Sequence, residues 1–243
     1  MIVISCYFGS ANTNINKAPM GSKCFFFSNN LKIKKKVTAM RWKFIYVDHL
    51  PMTKDYRISS LQSKYVKFLQ FNKKHIGWVE GDSIMYFDHK LDVQQNHVKQ
   101  AKNLCKTEIL IKNHPTQNLL EDEVEDSIKQ ERYAKTMDKT IEWIDSTINS
   151  GNYSKKNMMM ATGFILFADV KAAQQLCDEV YNTCVELGQP ECQIIWGVLS
   201  QKFEKSLTRI GWKEIDIGKA PYSFAIRASA YIKRVIKRML NRL

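Results

Sequence analysis

Glu80 and Asp82 are the first residues whose types and spacing could do chemistry. They are split by Gly81 in the stretch His75-Ile76-Gly77-Trp78-Val79-Glu80-Gly81-Asp82. This stretch reads as a short apolar strand running into two carboxylates. Two hard oxygen ligands on a rigid strand end suit Mn2+ or Mg2+, and the glycine between them lets a phosphate approach the backbone. Just upstream, Lys64 and Lys67 stand three apart on one helical face and could add positive charge to the same phosphates. The bland alternatives are a polar turn and two lysines on a wet helix face. An acidic run at 121–126 opens a helical stretch, where the helix dipole favours carboxylates whatever their role. His114-Pro115 forms a polar turn before it. His89 and His97 are eight apart, off the spacing that puts two ligands on one helix face, so no metal is assigned there.

The elements that must position these residues alternate. Apolar and aromatic runs at 1–8, 23–28 and 43–47 read as strands covered on both faces of a sheet. The Lys32–36 cluster between them reads as a loop. Residues 58–71 have helical spacing, with Leu61, Tyr65, Phe68 and Leu69 on one face, and the strand carrying Glu80 follows. A helix is expected at 93–104, a strand at 108–111 and one long helix over 118–148. A buried strand at 158–167 encloses Thr162-Gly163. Helices at 170–187 and 192–203 and a last strand at 209–215 complete the pattern. Strand–helix alternation predicts an α/β fold, a mixed Rossmann-like sheet flanked by helices, with ligands at the carboxyl ends of strands.

Composition is that of a globular chain. The 243 residues are 44% hydrophobic and 25% charged, enough for one sizeable core. No apolar run is long enough to span a bilayer and no basic leader stands at the start, so a cytoplasmic location is expected. The six cysteines form no C-x-x-C pair and read as reduced thiols, neither a disulfide framework nor a zinc site. The net charge of +13 predicts attraction to nucleic acid, anionic lipid or phosphorylated substrates.

Much of that charge sits in the last segment. Phe224, Ala228, Ile232, Val235, Ile236, Met239 and Leu243 fall on one helical stripe, and Arg227, Lys233, Arg234, Lys237, Arg238 and Arg242 fill the rest. The division is a catalytic domain at 1–216 and a basic amphipathic C-terminal helix at 217–243. Such a helix can lie peripherally in an anionic membrane interface, pack on its own domain, or bind nucleic acid.

Several stretches in order resemble the TOD/MUCI glycosyltransferase-like family. Ser5-Cys6-Tyr7-Phe8-Gly9 is similar to its first strand and "FG" loop, and Cys24-Phe25-Phe26-Phe27-Ser28 to its second strand. Lys64-Tyr65-Val66-Lys67-Phe68-Leu69 leading to Gly77-Trp78-Val79-Glu80-Gly81-Asp82 resembles its K-x-x-K/H helix and "W-I-D-G" step. His114-Pro115 with Asp122-Glu123 and Glu125 resembles its "HP" turn and "EE-x-E", and Gln193 stands where it has "DQ". Glu80 replaces an aspartate, Cys192 replaces the aspartate before Gln193, and the proline expected after Leu69 is missing.

The resemblance implies a GT-A-type fold and transfer of a sugar from a nucleotide-sugar donor to a glycan or lipid-linked acceptor. Glu80 and Asp82 would hold Mn2+ or Mg2+ against the donor diphosphate. Phe8, Gly9, Lys64, Lys67 and Gln193 would bind the nucleotide-sugar. The acceptor hydroxyl would lose its proton to Glu123, with Asp122 and His114 as the other candidates. The alternatives are a metal-dependent nuclease or other nucleic-acid-processing protein, in which the carboxylates hold Mg2+ and the charge grips phosphates, and a catalytically inactive binding relative.

Overall fold

The computed structural model describes residues 1–116, 119–155 and 157–217. The basic helix expected at 217–243 therefore lies, past Ile217, outside the described residues.

Seven strands are described: β1 (Ile2–Cys6), β2 (Lys23–Ser28), β3 (Lys43–Tyr46), β4 (Ile84–Phe87), β5 (Ile109–Asn113), β6 (Met160–Phe167) and β7 (Leu207–Ile210). They form one mixed sheet in the order β3-β2-β1-β4-β6-β5-β7. β1 lies parallel to β2 and β4, β2 to β3, and β5 to β7, while β6 runs antiparallel between β4 and β5. The α/β class and the flanking helices are as the apolar runs predict.

Period-two alternation splits the core between the two faces of the sheet. Ile2, Ile4, Phe25 and Phe27 pack with α2 (Tyr56–Lys67), α7 (Val170–Leu187) and α8 (Cys192–Leu199). Val3, Phe26, Met85 and Phe87 pack on the other face with α1 (Lys34–Ala39) and α3 (Gln95–Leu104). A third cluster joins α4 (Leu120–Ile128) and α6 (Met137–Thr147) to α8 through Leu120, Met137, Ile144, Ile194 and Val198. Among the described residues no helix is long and apolar enough to cross a membrane.

The structure departs from the sequence reading in four places. The Lys32–36 cluster lies in a short 3-10 turn and α1, not in a loop. Parallel neighbours β2 and β3 need a crossover, and burying Val37 makes that crossover a helix. The strand expected to carry Glu80 is absent. Lys73–Ile76 is a 3-10 turn closed by Gly77 at φ +62, and Gly81 sits at φ +88. Two left-handed glycines so close together are incompatible with an extended strand, and the real strand, β4, begins only at Ile84.

The long helix divides into α4, α5 (Glu131–Ala134) and α6. No glycine or proline breaks it. Three successive i→i+3 turns, Gln130 N–H to Ser127 O, Tyr133 N–H to Gln130 O and Thr136 N–H to Tyr133 O, bend the chain and bury Tyr133. The last strand runs over Leu207–Ile210, earlier than the expected 209–215, because its partner β5 pairs Ile109 with Leu207.

Candidate functional site

Strand order reverses between β1 and β4, and ligands of open α/β sheets sit outside the carboxyl ends of strands at such a point. A cavity of about 940 Å³ opens there. Its floor is Cys6 to Gly9 after β1, Asp88 and His89 after β4, and Thr162-Gly163 at the start of antiparallel β6. A bulge aids this: β5 pairs Ile111 with Ile165 but Lys112 with Ala161, so Thr162 to Phe164 leave the β5 ladder. Bulges commonly re-aim side chains beside functional sites.

One wall is α2. Asp55 caps its start by accepting from Arg57 N–H, and Ser60, Ser63, Lys64 and Lys67 follow one another along the face lining the cavity. Lys64 and Lys67 are each only 5% exposed, so neither lies on a wet face. Lys67 Nζ stands 3.4 Å from Asp88 Oδ1, 3.5 Å from Thr162 Oγ1 and 3.9 Å from Cys192 Sγ. Burial works to lower the Lys67 ammonium, but Asp88 together with Cys192, Glu191 and Cys6 outweighs it and holds the lysine above its ordinary value. Burial likewise works to raise the Asp88 carboxyl. The Lys67 ammonium and the Tyr86 hydroxyl, which donates to Oδ1 at 2.7 Å, bring it below the usual value. About half of the Asp88 side chain stays open to the cavity.

The β1–α2 corner is built tightly. Gly9 has φ +113, and a Cβ there would lie 2.8 Å from Ser59 Oγ. Buried Asn29 accepts from the Gly9 N–H at 3.1 Å, and buried Asn30 donates to its carbonyl at 2.9 Å. Phe8 and Gly9 both line the cavity, although Phe8 is largely core.

The opposite wall carries a second polar group. Glu123 of α4, 5% exposed, accepts from Gln193 Nε2 at 3.2 Å and lies 4.0 Å from His114 Nε2. Gln193 in turn donates its backbone N–H to Glu191, which caps α8. The Tyr133 hydroxyl also bonds Glu191; burial first, and Glu191 after it, push this phenol far above its ordinary value. The start of α8 is set by Gly188, left-handed at φ +63, and by buried Gln189, which accepts from Glu191 N–H and donates to Thr140.

The predicted site residues thus divide. Phe8, Gly9, Lys64, Lys67, His114, Glu123 and Gln193 line one cavity. Asp122, a neighbour of Glu123, does not. Glu80 and Asp82 are not brought to it either. Glu80 is exposed and pairs with Lys171 at 2.6 Å, and Asp82 lies 3.8 Å from the Met1 amino group. The expectation that they end a strand is corrected: they precede β4, at the amino edge of the sheet, roughly 20 Å from the cavity by strand rise. Gly81 serves an open surface turn with nothing within 4 Å of a Cβ.

Sequence reasoning missed Asp88, Glu191, Tyr133 and Lys112. Asp88 had a signal: the apolar run Ile84-Met85-Tyr86-Phe87 ends in it. Lys112 had none. It is 1% exposed, donates to the Ile215 carbonyl and lies over the Trp212 ring, and burial lowers it to about 8.

The residues do not fit a divalent cation. Among the described residues no group of three or more His, Cys, Asp and Glu is arranged to hold one. Asp88, the carboxylate at the central strand ends, already has an ammonium as its partner.

Gly163 makes room for Asp88: a Cβ there would lie 2.9 Å from Asp88 Oδ2. Gly163→Ala is expected to turn Asp88 away from Lys67 and to cost about 1–2 kcal/mol. Urea unfolding checks this, because the same change in an Asp88→Ala background should cost much less.

His89 adds an acid-side effect. Burial lowers it to about 4, so it is neutral in the fold. Between its ordinary value and about 4 the unfolded chain takes a proton that the fold refuses. Stability is therefore complete above that window and falls as pH drops through it, by on the order of 1–3 kcal/mol. Asp88, held low, loses its contribution further down. Urea midpoints at about pH 7 and about pH 4.5 should differ, and His89→Gln should shrink the difference.

Compared with known proteins, the chain matches no protein-family model and no curated protein.

Proposed function

We propose that this chain is a nucleotide-sugar-dependent glycosyltransferase of GT-A type, in line with its resemblance to the TOD/MUCI-like family. The observation that carries the reading is one cavity at the β1/β4 switch point with buried cations on one wall and a buried carboxylate on the other. The order β3-β2-β1-β4-β6-β5-β7 supports it. The acid that the resemblance puts at a strand end is then Asp88, not Glu80 or Asp82.

The donor's nucleoside lies towards Phe8-Gly9 and its diphosphate against Lys64 and Lys67. The half-open Asp88 accepts from a sugar hydroxyl. An acceptor hydroxyl near Glu123 attacks the anomeric carbon. The bond from that carbon to the phosphate oxygen breaks, and its electron pair leaves with the nucleoside diphosphate. The acceptor proton passes to Glu123, whose carboxylate is held in place by Gln193.

A thermal-shift screen of the purified chain against UDP, GDP, CDP and dTDP tests this, since a ligand of the folded state raises the melting temperature. A selective shift with one nucleotide, shared by its sugar conjugate, is expected. No shift with any of them, together with salt-sensitive DNA binding by the chain lacking 221–243, would replace this reading with the nuclease one.

A further inference from the structure

Resting on that reading, we infer that lysine ammonium groups take the place of a divalent cation at the donor diphosphate. The position a metal would occupy, beside the one carboxylate at the central strand ends, is taken by Lys67 Nζ at 3.4 Å from Asp88 Oδ1. The other buried acids of the cavity are engaged: Glu123 with Gln193, and Glu191 with Gln193 and Tyr133. No group of metal-ligating side chains forms among the described residues. The rest of the chain, Gln117, Asn118, Lys156 and 218–243, contains no Asp, Glu, His or Cys. No other part of this sequence is left to complete a carboxylate or imidazole ligand set.

Lys64 supplies the second half of the argument. It is only 5% exposed, its carbonyl accepts from Phe68 N–H, and its side chain makes no hydrogen bond or ion pair among the described residues. Its side chain lines the cavity, where an anionic ligand can meet the ammonium. It stands one helical turn from Lys67, with the Ser60 and Ser63 hydroxyls on the same wall. The Ser63 hydroxyl donates to the Ser60 carbonyl at 2.6 Å, and the two ammonium groups with the Ser60 hydroxyl on one rigid helix match a diphosphate, whose negative charge grows as it leaves. Asp88 acts as a positioning residue: it holds Lys67 charged and in place, and does not ligate a metal.

The test uses the full chain and the nucleoside diphosphate selected by the thermal screen, with affinity measured by calorimetry in EDTA and again with Mn2+ or Mg2+. Binding in EDTA within about threefold of that with metal is expected. Lys64→Met should weaken it about 10- to 100-fold under both conditions. The melting temperature should not fall, because the change removes no side-chain hydrogen bond or ion pair found among the described residues. Binding that appears only with a divalent cation, or that Lys64→Met leaves intact, would overturn the inference and leave the transferase reading standing. Absence of binding by every nucleotide, with or without metal, would overturn both.

Discussion

Lys67→Met is expected to abolish measurable nucleotide binding and to lower stability by about 2–3 kcal/mol. Lys67→Met combined with Asp88→Asn should recover most of the stability and none of the binding. The two effects have separate causes. Removing the ammonium leaves the Asp88 carboxylate, among the described residues, with the Tyr86 hydroxyl as its side-chain partner. Orphaning one member of a fully buried pair costs about 3–5 kcal/mol, and the half-open Asp88 side chain places this case lower. Neutralising Asp88 removes the orphaned charge, so stability returns. Binding does not return, because the cation that meets the phosphate is still missing. Urea unfolding and calorimetry on the two variants check the pattern. Equal recovery of both properties would mean that Lys67 serves the fold alone.

Glu123→Gln is expected to reduce sugar transfer by about 10²–10⁴-fold while leaving nucleotide affinity nearly unchanged. Glu123 lies on the wall opposite α2, and its Oε1 accepts from Gln193. An amide of the same size can keep a hydrogen bond there but cannot take the acceptor's proton. Release of nucleoside diphosphate from the donor in the presence of acceptor, compared with nucleotide affinity by calorimetry, separates the roles. A variant with full activity would move the base elsewhere in the cavity, with His114, 4.0 Å away, the next group to examine. Loss of nucleotide affinity in Glu123→Gln would instead point to a structural role for the α4–α8 contact.

How much of this was legible in the residues depends on how local each signal is. Phe25-Phe26-Phe27 and Ile2-Val3-Ile4 read as covered strands because both faces of each are buried. Lys64 and Lys67 share a helix face by spacing alone. Gly188 and the Asp169 cap, which accepts from Lys171 and Ala172 N–H, bound α7 as expected for such residues. Glu80 and Asp82 misled because the acid-x-acid step is a local pattern without an address. Whether a carboxylate reaches a ligand depends on which end of a strand it occupies. The three-part break of 118–148 was illegible because no glycine or proline marks it; burial of Tyr133 beside Glu191 outweighs helix continuity.

The sequence by itself determined the α/β class, the covered strands, the cationic face of α2 and the overall positive charge, since these follow from periodicity and residue type within a few turns. Only the tertiary structure decided that Asp88 lies at the cavity while Glu80 and Asp82 do not, that Glu123, Gln193 and Glu191 meet across α4 and α8, and that the Lys67 ammonium pairs with Asp88. Those outcomes depend on strand order and on pairings between residues far apart in the chain, such as Lys67 with Asp88 and Glu123 with Gln193. No local pattern encodes them, because the free energy that selects them comes from packing the whole sheet at once.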